Sequence, residues 1–156
     1  MKDASQVREL IHCDSCSQYM SGNDSQQKQQ HLSRKNIMDK AELKSFGKPD
    51  EIREFPKGRI ELINVGGAVV GQAIFEPGWR WATSVQPIAK TKSCEAPHFQ
   101  YHLSGVIKVV MDDGTEFECR AGDVSLLPAG HDAWVVGDEP VVVVDFQGMV
   151  DYAKAQ

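Results

Sequence analysis

Cys94, His98, His102 and His131 are the residues of this chain whose types and spacing can do chemistry. Thiolate and imidazole are both metal ligands; together they suit zinc, and they also hold iron, nickel or copper. Side chains on a strand alternate between its faces, so residues two apart share one face. If residues 94–102 are extended, Cys94, Ala96, His98, Gln100 and His102 line one side, provided Pro97 leaves the register intact. With that side turned inward, three candidate ligands and an amide enter the interior. His131 comes from a different segment, directly after the turn Pro128-Ala129-Gly130. Cys94, His98, His102 and His131 are therefore all candidate ligands of a divalent metal ion, with the Gln100 amide beside them.

The elements that must position these residues read as strands. Arg59 to Val65 and Ala68 to Phe75 are β-rich runs ended by Gly66-Gly67 and Pro77-Gly78. Phe99 to Leu103, Val106 to Met111 and Glu116 to Cys119 follow, the last two joined by the turn Asp112-Asp113-Gly114. Asp123 to Leu127, Ala133 to Val136 and Val141 to Phe146 complete the set. Many short strands punctuated by Gly and Pro predict an all-β sandwich or barrel. Trp79 and Trp81 would share a strand face lining the pocket, and Arg80 between them would bind a substrate's charge, although packing is the default role of tryptophan. Asp50 to Glu54 reads as solvated acidic surface, and Met149 to Ala155 as a helical turn or two.

Before the strands, a short helix should begin at Asp39. Asp39 would cap it, Glu42 would complete a capping box, Met38 and Leu43 would form a hydrophobic staple, and Gly47 would stop it. Residues 1–37 are polar, and Ser21 to Gln30 holds no apolar side chain. Such a segment buries too little surface to offset its ordering entropy, so a disordered tail is expected, with the barrel domain over 38–156. Within the tail, His12, Cys13, Cys16 and His31 look zinc-like but lack a convincing second pair, and they are read as no native site.

The chain has 156 residues, a net charge of −5 and a pI near 5.5. That argues against nucleic acid, whose phosphates select clustered Lys and Arg. No apolar run is long enough to cross a bilayer, and Met1 to Met20 holds no signal-like apolar core. Four cysteines in such a chain are expected as thiols or ligands in a cytoplasmic protein.

One run ties these segments together. It is Tyr101-His102-Leu103-Ser104-Gly105, a hairpin, then Gly122-x5-Pro128-x-Gly130, then Gly137-Asp138-Glu139-Pro140. It resembles the stretch joining the two motifs of the cupin superfamily, and the likeness covers roughly residues 49–146. Pro77 to Trp81 and His131 to Trp134 are similar to segments of a subgroup of small bacterial cupins. The resemblance implies a double-stranded β-helix (jelly-roll barrel) holding one divalent metal through His, His and Glu of the first motif and His of the second. This chain departs from that set. Its alignment puts His98 at the Glu position, Cys94 at the second His and Lys92 at the first. His131 follows Gly130 directly, in a loop two residues shorter, and Val135 stands where the motif has Asn. What the resemblance leaves as the metal set is Cys94, His98 and His131, for one divalent ion, zinc first, with iron, nickel or manganese as alternatives; Gln100 and His102 are further candidates, to orient a substrate. Three protein ligands leave a coordination position open, as in catalytic rather than structural zinc sites.

The expectation is thus a single cupin barrel that binds a divalent metal and acts on, or binds, a small organic molecule. No residue is assigned a catalytic role. Dioxygenation, isomerisation, decarboxylation and hydrolysis all lie within reach of such a site. The alternative is a non-catalytic binding or sensor module with a degenerate metal site. Such a module could work as a homodimer, with an N-terminal strand exchanged or a sheet edge paired.

Overall fold

A computed structural model describes residues 40–154. The expected tail and the His12, Cys13, Cys16, His31 cluster lie outside the described residues. Nine strands run in chain order: β1 (Glu51–Phe55), β2 (Gly58–Val65), β3 (Ala68–Phe75), β4 (His98–Ser104), β5 (Val106–Met111), β6 (Glu116–Arg120), β7 (Val124–Leu127), β8 (His131–Val136) and β9 (Val141–Asp145). Two single-turn helices, α1 (Trp81–Ser84) and α2 (Gln86–Ala89), stand between β3 and β4.

The strands form a six-stranded sheet of order β1-β2-β3-β9-β4-β7 and a three-stranded sheet of order β6-β5-β8, antiparallel throughout. Isolated bridges from Arg80 to Trp134 and from Cys94 to His131 lay the segment around the two helices along the free side of β8. The chain changes sheet between β4 and β5, between β6 and β7, between β7 and β8, and between β8 and β9. This is a jelly-roll barrel, the fold expected from the sequence.

Period-two burial builds the interior. Ala73 and Phe75 of β3, Ile107 and Val109 of β5, Ala133 and Val135 of β8, and Val141 and Val143 of β9 all point inward. Gly105 makes the turn from β4 to β5 at φ 69°, where a Cβ would stand 2.7 Å from the Pro140 carbonyl oxygen. Only glycine fits that close approach.

Three expectations need correction. The short helix near residue 39 does not form among the described residues: 41–45 carry no regular structure and Leu43 is 96% exposed. Two turns of helix with no apolar face to pack are too short to nucleate. The Glu42 carboxylate instead accepts the Gly66 N–H at 2.8 Å. The acidic stretch at residues 50–54 is not merely solvated surface, since Glu51–Phe55 pairs with β2 as an edge strand. The end of the chain makes turns rather than a helix through 149–154.

Candidate metal centre

Strand β4 carries His98, Gln100 and His102 on its inward face, and Phe99, Tyr101 and Leu103 on its outward face. Cys94, just before that strand, and His131, at the start of β8, are held side by side by two backbone bonds. Cys94 N–H donates to the His131 carbonyl at 2.8 Å, and Gly130 N–H donates to the Cys94 carbonyl at 2.7 Å. Pro97 does not disturb the face, because Cys94 and His98 are both buried and their side chains meet. The ligand atoms of Cys94, His98 and His131 all lie within 4.8 Å of one another.

The donor geometry fits an ion. For tetrahedral coordination with ordinary metal–sulfur and metal–nitrogen bonds, the two donor atoms stand roughly 3.6 Å apart. Cys94 Sγ and His98 Nε2 are 3.5 Å apart. Each imidazole is also anchored through its other nitrogen. His98 Nδ1 lies 2.6 Å from Asp145 Oδ2 and His131 Nδ1 lies 2.9 Å from the Pro128 carbonyl oxygen. A carbonyl oxygen only accepts, so His131 Nδ1 carries a proton, and Nε2 is the nitrogen left to face the Cys94 sulfur or an ion. Carboxylate and carbonyl anchors of this kind fix the tautomer and ring orientation of metal-binding histidines.

Asp145 is the principal residue that sequence reasoning missed. It is 0% exposed, accepts from His98 and from Gln100 Nε2 at 3.0 Å through Oδ2, and accepts Gln147 N–H at 2.8 Å through Oδ1. The signal was present: Val141, Val143 and Asp145 occupy the same face of an apolar run, so a period-two reading puts the carboxylate inside. Tyr152 was missed for want of any signal. Its ring stands edge-on to His98 with centroids 5.4 Å apart.

The electrostatics follow from this packing. Burial pushes the Cys94 thiol up, but hydrogen bonds from His131 and His98 outweigh it and bring the thiol down to about 6. Burial pushes His98 down, while its bonds to Asp145 and Cys94 raise it to about 9. The metal-free centre is accordingly a buried chain of carboxylate, imidazolium and thiolate. Burial drives Tyr152 well above the usual tyrosine range and holds His102 below the usual histidine range.

The remaining predicted residues fall in different places. Gln100 borders the inner cavity, but its amide N–H is committed to Asp145. His102 is 1% exposed, bonds Ser125 Oγ through Nε2 at 2.9 Å, and stands apart from the three donors. Trp79 and Trp81 are both buried and line the inner cavity. They do not share a strand face, because the chain turns into α1 at Trp81. Arg80 points outward: its Nε donates to Asp132 Oδ2 at 2.7 Å and its guanidinium covers the Trp134 ring at 4.8 Å. It lines neither cavity described below, because those two partners hold it at the surface.

Two cavities adjoin the donors. An inner one of about 20 Å³ is bounded by His98, His131 and Gln100 together with Phe75, Trp79 and Leu127. An outer one of about 300 Å³ lies between the α1–α2 segment and residues 148–154, with Cys94 in its wall. Trp81 and Tyr152 border both. Arg53 of β1 ties the C-terminal wall in place, donating to the carbonyls of Met149 (3.1 Å), Val150 (2.9 Å) and Tyr152 (2.6 Å). No helix among the described residues is long and apolar enough to cross a membrane.

Strand order and inward donors together define a jelly-roll barrel with a three-donor interior site. No family model and no curated protein matches the chain. Among solved structures, it is similar to an E162A mutant of Bacillus subtilis oxalate decarboxylase (TM-score 0.47, 22% identity, 66% of this chain and 29% of that one). Lactobacillus farciminis oxalate decarboxylase in a formate complex aligns at a TM-score of 0.46 and 20% identity, over 64% of this chain and 31% of that one. A protein of unknown function from Vibrio parahaemolyticus aligns at 0.47 and 12% identity, over 62% of this chain and 96% of that one. This chain thus spans about a third of either oxalate decarboxylase. At these values no activity passes from the likeness.

Proposed function

We propose that the chain binds one divalent metal ion through Cys94, His98 and His131, and that it acts on a small organic molecule held in the outer cavity. The observation that carries this is the paired anchoring of both imidazoles, which aims two Nε2 atoms and one sulfur at a common point. Two neutral nitrogens and one thiolate suit zinc first, with iron, nickel or manganese as alternatives. Bound there, the ion would supply Lewis acidity toward a substrate oxygen or a lowered pKa for a bound water.

The chain's own groups have separate tasks. Asp145 accepts the His98 Nδ1 proton and keeps its Nε2 directed at the cluster. The Pro128 carbonyl does the same for His131. Phe75, Trp79 and Leu127 exclude bulk water from the inner space. The outer cavity reaches the lower end of small-molecule sites in volume, whereas the inner one has room for about one water. A substrate body would therefore lie outside, with only its reacting end beside the donors.

A second reading, a module that binds without turnover, is supported by that same narrowness. Stabilisation by a small molecule with no product formed would favour it, whereas product formation would favour the enzyme. The metal assignment is tested by titrating the metal-free full chain with cobalt(II). A sharp endpoint at one equivalent, with thiolate-to-cobalt absorption that Cys94→Ser abolishes, is expected. Cobalt absorption without a thiolate band would remove Cys94 from the site and with it the proposed donor set.

A further inference from the structure

The indole N–H groups of Trp79 and Trp81 are buried and have no hydrogen-bond partner among the described residues, and both rings border the inner cavity. A buried donor left unpaired costs about 1–3 kcal/mol, and such groups are ordinarily satisfied by protein, water or ligand. We infer that the inner cavity receives an acceptor-only oxygen, a carboxylate or enolate of a small molecule whose apolar body occupies the outer cavity, and that Trp79 and Trp81 select it. This rests on the metal reading above and adds the class of ligand.

The walls suit such an oxygen, with a lone water as its competitor. With the ion holding both imidazoles, a water that accepted from the indoles would find the Gln100 amide oxygen and the Tyr152 hydroxyl as acceptors for its own hydrogens, the rest of the wall being side chains such as Phe75, Ile107, Val109 and Leu127. An acceptor-only oxygen has no hydrogens to place. Trp81 and Tyr152 border both cavities, so the two spaces adjoin across one wall, and the ligand would cross it with its oxygen inside and its carbon chain outside. Val85, Ala89, Ala96 and Val150 offer the chain an apolar stretch of the outer wall, beside Thr91, Glu95, Asp151 and Lys154.

The protein has three tryptophans, so it gives three indole N–H resonances in a nitrogen–proton correlation spectrum. Full-length zinc-loaded protein is titrated with butyrate, and with butylamine as the control of equal length. The expected result is a saturable downfield shift of the Trp79 and Trp81 signals, identified with Trp79→Phe and Trp81→Phe, while Trp134 stays put and butylamine does nothing. No saturable shift, an equal response to butylamine, or two indole signals already fixed by a single ordered water that butyrate does not displace would overturn it. Metal content measured on the same samples separates the two claims. Loaded protein without the shift sinks this inference alone, and the shift without bound metal sinks the metal reading alone.

A different observation carries a second inference. Strand β4 is turned inside out: its polar residues face the interior and Phe99, Tyr101 and Leu103 face outward, 43%, 40% and 44% exposed. Phe99 pairs with Leu126 and Tyr101 with Val124 of β7, and Phe146 lies against Phe99 with ring centroids 6.0 Å apart. Val124 and Leu126 are exposed, and no charged side chain stands on the outward positions of β4, β7 or β9. A sheet with one solvated face alternates apolar and polar, whereas strands apolar on their outer side signal a covering layer. These six side chains leave on the order of 600 Å² exposed, at the top of the range for a monomer's largest patch and most of what one partner gives a standard interface.

We propose that this face binds a second copy of the chain as an isologous dimer. Sedimentation of the full chain should give a dimer, and Leu126→Glu or Val124→Glu, both on an edge strand, should give monomers with unchanged metal content. A monomeric parent at tens of micromolar, whether the face is bare or covered by the chain's own first residues, would overturn the proposal. So would a dimer that survives both substitutions.

Discussion

At the scale of single residues, the centre is a relay in which each group fixes the next. Asp145 holds His98, His98 meets Cys94, and Cys94 shares backbone bonds with the His131 strand. Asp145→Asn keeps the shape but weakens the anchor on His98 Nδ1. Loss of such an anchor costs about 10–100-fold in metal affinity, so a competitive chelator titration should show a drop of that size while Gln147→Ala shows none. The three donors were legible because alternation along an extended segment is a strong rule and thiol and imidazole are unmistakable ligands. His102 obeyed the same alternation yet bonds Ser125 instead, since face alone does not specify depth along the barrel. Arg80 was misplaced because its partners Asp132 and Trp134 lie some fifty residues away, a pairing that no local pattern announces.

At the scale of elements, the strands around the centre were legible wherever period-two burial met a Gly or Pro stop. β1 was not, because an exposed edge strand of charged residues carries no apolar alternation. Its Arg53 clamps three carbonyls of the C-terminal segment, the wall that includes Tyr152. Arg53→Ala frees that segment, and we expect faster hydrogen exchange at residues 149–152 with about 2 kcal/mol of stability lost; exchange unchanged there would refute the clamp. Gly148 sits at φ 96° beneath the site, where a Cβ would lie 1.9 Å from the Pro97 carbonyl oxygen. Gly148→Ala must push that segment off Pro97, and a fall in Tm of at least about 5 °C is expected on thermal unfolding. The two short helices escaped notice because four residues are too few to show a helical period.

At the scale of the whole molecule, the buried thiolate and imidazolium tie stability to pH in the metal-free protein. Cys94 is depressed to about 6, so its contribution is present at high pH and is lost as pH falls through about 6. His98 is raised to about 9, so its contribution is present at low pH and is lost as pH rises through about 9. Between about 6.5 and 9 the two slopes oppose and nearly cancel, so the Tm of chelator-treated protein should stay nearly level there, whereas Cys94→Ala, which keeps only the falling His98 slope, should lose Tm across the same range. A parent whose Tm rises steadily from pH 7 to pH 9 would contradict the charge state assigned to His98. The central claim is that three buried donors hold one ion, and metal content by mass spectrometry on untagged protein tests it most directly, beside Cys94→Ala and His131→Ala. Near-stoichiometric divalent metal in the parent, lost in both variants that remain folded, is the predicted result. A parent that takes up no metal even after loading would contradict it.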